Sequence, residues 1–205
     1  MKISQLKESS NGIDDSVIVD RDVFPNRHLP ETFNVDYIKH FSCEYCELTS
    51  LENFPKMIKN SLFIGNNKLT DLKNCPTQVG DMFYAENNPL TSLEGIPRKV
   101  GKDINISIAH LKTIGNLGYV PSASALHLRI SEFHVLNNIH VNLVPFITWD
   151  VDKILFINDN DKASSEINIM FDQVKKSSMS DRAKVMKLTQ LLIDAGYENL
   201  TKDSI

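Results

Sequence analysis

The stretch of the chain from residue 83 to residue 97 decides the fold. It reads Phe83-Tyr84-Ala85-Glu86-Asn87-Asn88-Pro89-Leu90-Thr91-Ser92-Leu93-Glu94-Gly95-Ile96-Pro97. The pattern is L-x-L-x-x-N-x-L-x-x-L, where L stands for any apolar residue, and it closes on a proline turn. Its positions recur every 21 residues, in columns such as Pro55, Pro76 and Pro97, and Leu48, Leu69, Leu90 and Leu111. Because self-similarity at a fixed period is typical of stacked repeats, we expect a solenoid of similar coils.

Each position of the repeat is expected to point either into the coil or out of it. A short strand places alternate side chains inward, and the asparagine turns inward to hydrogen-bond backbone groups of the bend. The predicted inward residues are Phe41, Cys43, Cys46, Leu48, Leu51 and Phe54 in the first coil; Leu62, Ile64, Asn67, Leu69, Leu72 and Cys75 in the second; Phe83, Ala85, Asn88, Leu90, Leu93 and Ile96 in the third; and Ile104, Ile106, Ala109, Leu111, Ile114 and Leu117 in the fourth. A fifth coil follows if the step lengthens to 22 residues, with Leu126, Leu128, Ser131, Phe133, Leu136 and Ile139 inward.

The sequence therefore predicts an α/β solenoid, a short leucine-rich-repeat coil of about five 21–22-residue repeats with an N-terminal strand cap and a C-terminal helical cap. Residues 1–28 are assigned to the N-terminal cap, which holds a strand between Val17 and Phe24. Residues 29–139 are assigned to the repeats, and residues 140–205 to a degenerate repeat and the helical cap. Within the last region we expect short strands at 146–151 and 154–157, an amphipathic helix around 167–174, and a helix from Ser180 to Gly196.

Composition and charge exclude several classes of protein. The chain has 205 residues, 41% of them hydrophobic and 23% charged, so whole-chain disorder and coiled coil are excluded. A formal net charge of −4 gives no basic field for a phosphate backbone, and nucleic acid is an unexpected partner. The N-terminus lacks the apolar run of a signal peptide, and no segment approaches about 18 apolar residues, so we expect a cytoplasmic protein that does not enter a membrane.

Three groups of residues suggest a metal or redox site, and each has a simpler explanation. Cys43 and Cys46 have the spacing of a zinc or redox pair, but both fall in inward columns, and reduced thiols buried in the core are favoured. The three histidines that lie nearest one another in the sequence do not have the spacing of a metal-binding pair on a helix. The acidic stretch lacks the glycine and glutamate of a calcium loop. These two groups are His127, His134 and His140, and Asp150, Asp152, Asp159 and Asp161. We therefore expect no metal, cofactor or catalytic residue.

The sequence contains no motif of a common enzyme class. A phosphate-binding glycine loop, a nucleophile elbow and a zinc-protease motif are all missing. Glu44 and Glu86 share one outward column and would lie about 10 Å apart, with Gly65 between them. A glycosidase-like carboxylate pair stays open on that spacing, but solvated charges on a strand face are the favoured interpretation.

The outward side of the strands is the favoured binding surface. Phe63 and Tyr84 fall in the same column of adjacent coils, while Ile108 and Ile130 are expected outward in another. Exposed aromatic residues among polar groups are typical of protein-binding surfaces, although a sheet also favours aromatic residues for its own stability. The predicted partner-binding residues on this concave sheet are Glu44, Tyr45, Phe63, Tyr84, Glu86, Asn105, His127 and Arg129.

The repeats resemble the leucine-rich-repeat proteins of large tailed bacteriophages. The resemblance rests on residues 87–97 and on the C-terminal stretch Leu192-Ile193-Asp194-Ala195-Gly196-Tyr197-Glu198-Asn199-Leu200, and covers about residues 29–201. A more distant likeness is to leucine-rich-repeat effectors that bacterial pathogens deliver into host cells, although this chain lacks their Leu-Pro pairs and any ligase domain.

Neither family places catalysis in its repeats, and the resemblance implies a non-catalytic macromolecular binding protein. Its expected role is that of a phage accessory factor, which engages a host protein or defence component in the host cytoplasm through the concave sheet. The alternative is a structural or attachment component of the virion, and an unrecognised enzyme comes third.

Overall fold

Parallel strands wound into a solenoid make up most of the structure. The computed structural model describes residues 16–18, 27–29, 39–115, 117–130, 141–158 and 162–202. The strands are β1 (Ser16–Ile18), β2 (His40–Ser42), β3 (Met57–Ile58), β4 (Leu62–Phe63), β5 (Gln78–Val79), β6 (Phe83–Ala85), β7 (Lys99–Val100), β8 (Asp103–Ser107), β9 (Ser122–Ile130) and β10 (Asp150–Asn158). Two α-helices follow, α1 (Lys162–Lys175) and α2 (Asp181–Asp194), and 3-10 helices span Val144–Thr148 and Glu198–Leu200.

The strands stack with the period of the sequence. Phe41 pairs with Leu62, Leu62 with Phe83 and Phe83 with Ile104, each a step of 21 residues. The next step, from Ile104 to Leu126, is 22 residues. The expected lengthening is therefore confirmed, and the described residues make about four coils. The second half of the predicted fifth coil, 131–139, lies outside the described residues.

Each coil carries a second short strand that the sequence pattern did not reveal. β3, β5 and β7 pair in parallel where a plain turn was expected after the proline column. This second sheet meets the first in β9, where Ser122 pairs with Lys99 of β7 and later residues pair with β8. Strands of two residues are too short for an alternating pattern, which explains why they escaped prediction.

Two stacked glycines form the corner between the sheets. A Cβ atom on Gly80 would lie 1.6 Å from the carbonyl oxygen of Lys59, and one on Gly101 would lie 1.9 Å from the carbonyl oxygen of Gly80. Successive coils thus touch backbone to backbone at this corner, and only glycine fits there.

The interior of the coils is the apolar core, and most predicted inward residues are buried in it. Ala109 and Leu117 are half-buried. The prediction that Ile108 and Ile130 face outward is wrong, because both are fully buried. At the positions equivalent to Ile108 and Ile130, the first three coils bend through residues with positive φ angles. In the later coils, β8 and β9 instead continue as extended strand toward these positions. Alternation of period two then continues and turns both isoleucines inward.

The inward asparagines tie neighbouring coils together, as predicted. Oδ1 of Asn67 accepts hydrogen bonds from the backbone N–H groups of Cys46 and Leu48, both at 3.0 Å. Its amide nitrogen donates to the carbonyl oxygens of Cys43, Ile64 and Gly65 at 2.9 to 3.0 Å. Asn88 repeats the arrangement one coil later, accepting from Leu69 and donating to carbonyls of the second and third coils.

A further column of polar residues shapes the opposite turn of each coil. In four successive coils, a side-chain oxygen at the same position accepts a hydrogen bond from the N–H two residues later. The residues are Ser50, Asp71, Ser92 and Thr113. Such local side-chain bonds favour turns over strands, which is why the chain reverses here.

The C-terminal region continues the first sheet and then turns helical. The expectation of a separate strand at 146–151 is wrong, since Val144–Thr148 is a 3-10 helix. The expected strand at 154–157 lies within β10, a single strand that begins at Asp150 and pairs with β9. Pro145 lies at the start of that helix, where its fixed φ suits a helical turn, and Val144, Phe146 and Ile147 are buried. A run buried on several sides has no clear period, which made the strand prediction unreliable.

The two α-helices agree with the sequence pattern. The α1 face predicted from residues 167–174 is buried, and α2 starts after Ser180, whose hydroxyl caps Ala183 N–H, with Gly196 just beyond its end. Asn168 of α1 accepts a hydrogen bond from Phe156 N–H at 2.5 Å and donates to Phe156 C=O at 2.8 Å, which satisfies the backbone of β10.

At the other end of the sheet, β1 pairs in parallel with β2. The rest of the predicted N-terminal strand, residues 19–24, lies outside the described residues. No helix in the described ranges is long and apolar enough to cross a membrane.

Candidate functional site

The outer face of the first sheet brings the predicted binding residues together. Phe63, Tyr84, Asn105 and His127 are consecutive register partners on β4, β6, β8 and β9. The same 21- and 22-residue steps carry a second column from Glu44 through Gly65 and Glu86 to Arg129. Seven of the eight predicted residues thus fall in two columns on one side of the first sheet, and Tyr45 follows Glu44 along the chain; this side is here called the outer face.

Tyr84 lies flat on the sheet because Gly65 leaves room for its ring. A Cβ atom on Gly65 would stand 2.4 Å from Cε1 of Tyr84 and 3.2 Å from Oε1 of Glu44. The Tyr84 ring also packs against Phe63, with ring centroids 6.4 Å apart and an interplanar angle of 45°. The ring is half-buried rather than projecting into solvent, which differs from the expectation of a fully exposed aromatic.

Glu86 is the buried charge of the outer face. Only 4% of the residue is exposed, although a solvated carboxylate was the favoured interpretation. Tyr84 donates its phenolic hydrogen to Oε2 of Glu86 at 3.2 Å, and Nε of Arg129 lies 2.7 Å from the same oxygen. A buried carboxylate needs such partners, because an unpaired charge out of water is strongly unfavourable. The three side chains form one polar network that reaches from β6 across β8 to β9.

This network shifts the ionisation of Tyr84. Burial raises the pKa of Tyr84 to about 12, with further contributions from the charge of Glu86, its hydrogen bond and the charge of Glu44, while Arg129 acts in the opposite direction. The hydroxyl therefore keeps its proton at neutral pH and acts as a donor toward Glu86, not as a base.

Tyr45 is the most exposed aromatic residue of the outer face and adopts an unusual backbone conformation. Tyr45 is 70% exposed, and its φ angle is +58°. Asn66 and Asn87 occupy the same position in the next coils, with φ of +56° and +55°, and Asn87 donates its amide hydrogen to Oδ1 of Asn66 at 3.0 Å. Asparagine tolerates this region well, whereas a bulky aromatic there is strained.

Asn105 and His127, the remaining predicted residues of the outer face, make fewer side-chain contacts. Nε2 of His127 lies 3.9 Å from a carboxylate oxygen of Asp103, and Asn105 is half-buried between Tyr84 and His127. His134 and His140 of the predicted histidine group lie outside the described residues. Within the residues that are described, no three His, Cys, Asp or Glu side chains are grouped to hold a metal ion.

The three cysteines are buried in the core, where the inward columns placed them. Burial raises the pKa of the Cys43 thiol, with smaller contributions from Cys46, Glu44 and Cys75, and burial also raises the pKa of the Cys75 thiol. A thiol held protonated in this way is a poor nucleophile and a poor metal ligand.

The pairing of Tyr84 with Gly65 and Glu86 was not foreseen from sequence. One signal for it was present, because a glycine interrupts an outward column of charged residues beside a tyrosine one coil later. The glycine in the sequence does not tell which residue the Tyr84 ring covers, because the direction of the ring depends on the rotamer of Tyr84.

Comparison of the chain with protein-family models, with curated protein sequences and with solved structures found no match.

Proposed function

We propose that this chain is a non-catalytic protein that binds a protein partner through the outer face of its first sheet. The observation that carries the proposal is the aromatic pair Phe63 and Tyr84, packed together at 6.4 Å on a rigid parallel sheet. Aromatic side chains supply large contact areas with few rotatable bonds, and their immobilisation before binding reduces the entropy lost on association.

The polar network favours binding over catalysis. A general acid or base must change its protonation during a reaction, yet Glu86 is held by Arg129 and by the hydroxyl of Tyr84. These two contacts hold the carboxylate of Glu86 in one position on the face. That arrangement suits a preorganised recognition surface, and it argues against the glycosidase-like pair of Glu44 and Glu86.

We further propose that the coils are leucine-rich repeats of the kind found in large tailed bacteriophages, and that the partner is a host protein or defence component in the host cytoplasm. The support for this origin is the resemblance of residues 87–97 and 192–200 to those proteins. An unrelated role as a virion component would be recognised by recovery of the chain in purified particles.

The test begins with affinity purification of the tagged chain from host cells and identification of the co-purified protein by mass spectrometry. The affinity for that protein is then measured with Phe63→Ala and with the double variant Phe63→Ala, Tyr84→Ala. Truncation of a central aromatic anchor commonly costs about 2 kcal/mol or more, so each step should weaken binding more than about tenfold.

Two controls accompany the measurement. Lys73→Ala with Lys99→Ala removes exposed charges away from the outer face, and parental affinity is expected. Melting curves check the fold, because the double variant loses the hydrogen bond from Tyr84 to Glu86. Phe63→Ala alone leaves that bond in place. Parental affinity in both aromatic variants would refute the proposal.

A further inference from the structure

Glu44 is an outer-face carboxylate that has no cation partner among the residues that the structure describes. Glu86 is paired with Arg129 at 2.7 Å, and Asp103 has His127 at 3.9 Å. Across the residues described by the structure, no ion pair engages Glu44, although its charge reaches Tyr84. Within the described part of the chain, a negative charge is therefore left uncompensated at this end of the face, and the net charge of the full chain is already −4.

The ring of Tyr84 stands beside that carboxylate. Oε1 of Glu44 and Cε1 of Tyr84 both lie close to the point above Gly65 where a Cβ atom would stand, at 3.2 and 2.4 Å. Tyr45, the next residue along the chain, is 70% exposed. The Tyr84 ring thus fills the space above the glycine, and the Glu44 carboxylate lies beside the edge of that phenol ring.

Tyr45 is not required by the fold at its position. The coil bends there through a left-handed backbone conformation, for which the next two coils use Asn66 and Asn87. A tyrosine with φ of +58° is strained, and strain of this kind concentrates at sites that bind ligands or partners. An exposed, strained aromatic beside an unpaired carboxylate therefore points to recognition rather than to stability.

We propose that the surface formed by Glu44, Tyr45 and the Tyr84 ring over Gly65 binds an arginine side chain of the protein partner. This inference rests on the proposed function and names the chemistry that one end of the outer face accepts. A guanidinium group presents a planar fork of N–H donors that matches a carboxylate, and its flat faces stack on aromatic rings. Lysine offers a compact, strongly hydrated charge and gains less from the rings.

The inference can be tested without knowing the partner. Fluorescein-labelled hexa-arginine is titrated with the protein at about 0.15 M salt, where screening limits non-specific attraction, and binding is followed by fluorescence anisotropy. Hexa-citrulline has nearly the same shape but no charge, and hexa-lysine has the charge without the planar group. We expect hexa-arginine to bind more tightly than either.

Variants locate the binding on the chain. Glu44→Gln should weaken hexa-arginine binding about tenfold, the loss expected for one charge-assisted hydrogen-bonded pair. Tyr45→Asn should weaken it about threefold, as for one cation–π contact, while raising the melting temperature because asparagine suits the backbone. Glu94→Gln removes an equal charge from an exposed turn, where Glu94 pairs with Lys73, and should leave the affinity unchanged.

Equal binding of hexa-arginine to the parent and to Glu44→Gln would overturn the inference, and so would equal affinity for hexa-citrulline or hexa-lysine. The co-purified partner separates this failure from failure of the proposed function. Loss of that partner in Phe63→Ala but not in Glu44→Gln would overturn the arginine site alone. Retention of the partner by Glu44→Gln, by Phe63→Ala and by the double variant Phe63→Ala, Tyr84→Ala would overturn the proposed function as well.

Discussion

Replacement of Asn67 by alanine tests the bonds that hold one coil to the next. The amide of Asn67 is buried between the first two coils, where Oδ1 accepts from two N–H groups and the nitrogen contacts three carbonyl oxygens. Because an amide nitrogen carries two hydrogens, the side chain makes four full hydrogen bonds at once. At about 1 kcal/mol net for each bond, Asn67→Ala should lower the free energy of unfolding by about 4 kcal/mol.

Urea unfolding followed by circular dichroism measures this loss. With an m-value of about 2 kcal/mol/M, the midpoint of unfolding should fall by about 2 M. Trp149 is the only tryptophan of the chain and lies in the C-terminal region, edge-on to Phe146, so its fluorescence reports on the opposite end of the solenoid. Separation of the two transitions would show that the coils unfold before the C-terminal region, as nearest-neighbour stacking allows.

The matched control is Asn105→Ala, which removes the same side chain from the outer face. Asn105 is half-buried, and no hydrogen bond of its amide is found among the described residues, so a change below about 0.5 kcal/mol is expected. Asn88→Ala should fall between the two, because Asn88 accepts from one N–H group instead of two. Equal midpoints for Asn67→Ala and Asn105→Ala would refute the role assigned to the inward asparagines.

Two further outcomes follow from the ionisable groups. Cys43 and Cys75 should react slowly with a thiol reagent in the native protein and rapidly in denaturant, because burial raises the pKa of both thiols; fast native labelling would contradict their burial. Since the pKa of Tyr84 rises from 10.0 to about 12 on folding, the folded state holds this proton more tightly, and the stability it contributes is complete below pH 10.0 and lost as the pH rises toward 12. Tyr84→Phe should flatten that decline in the urea midpoint, and an unchanged slope would assign it to other groups.

The sequence alone determined the coil and its inward columns. A period of 21 residues fixes which positions stack, and alternation within a short strand fixes which of them point inward, so Leu69, Leu90 and Asn67 could be placed without coordinates. The same logic predicted α1, α2 and the capping hydroxyl of Ser180. These features depend on local periodicity and on capping chemistry, which a linear pattern records directly.

Features that depend on contact between coils could not be predicted. The second sheet consists of two-residue strands whose pairing is visible only after the coils stack. The inward turn of Ile108 depends on whether the backbone bends or stays extended at that column. An alternating pattern gives the side of the sheet on which a residue lies, but only while the strand remains regular.

For the outer face, too, the sequence determined some features and only the tertiary structure decided the others. Sequence placed Tyr84, Glu86 and Arg129 on one surface, because strand register follows from the repeat. Only the folded chain decided that the Tyr84 ring lies over Gly65 and that Glu86 is buried with Arg129 beside it, while Glu44 has no ion pair within the described ranges. Those outcomes depend on rotamers and on the volume left empty by a missing Cβ atom one coil away, and neither quantity is encoded in the period of the repeat.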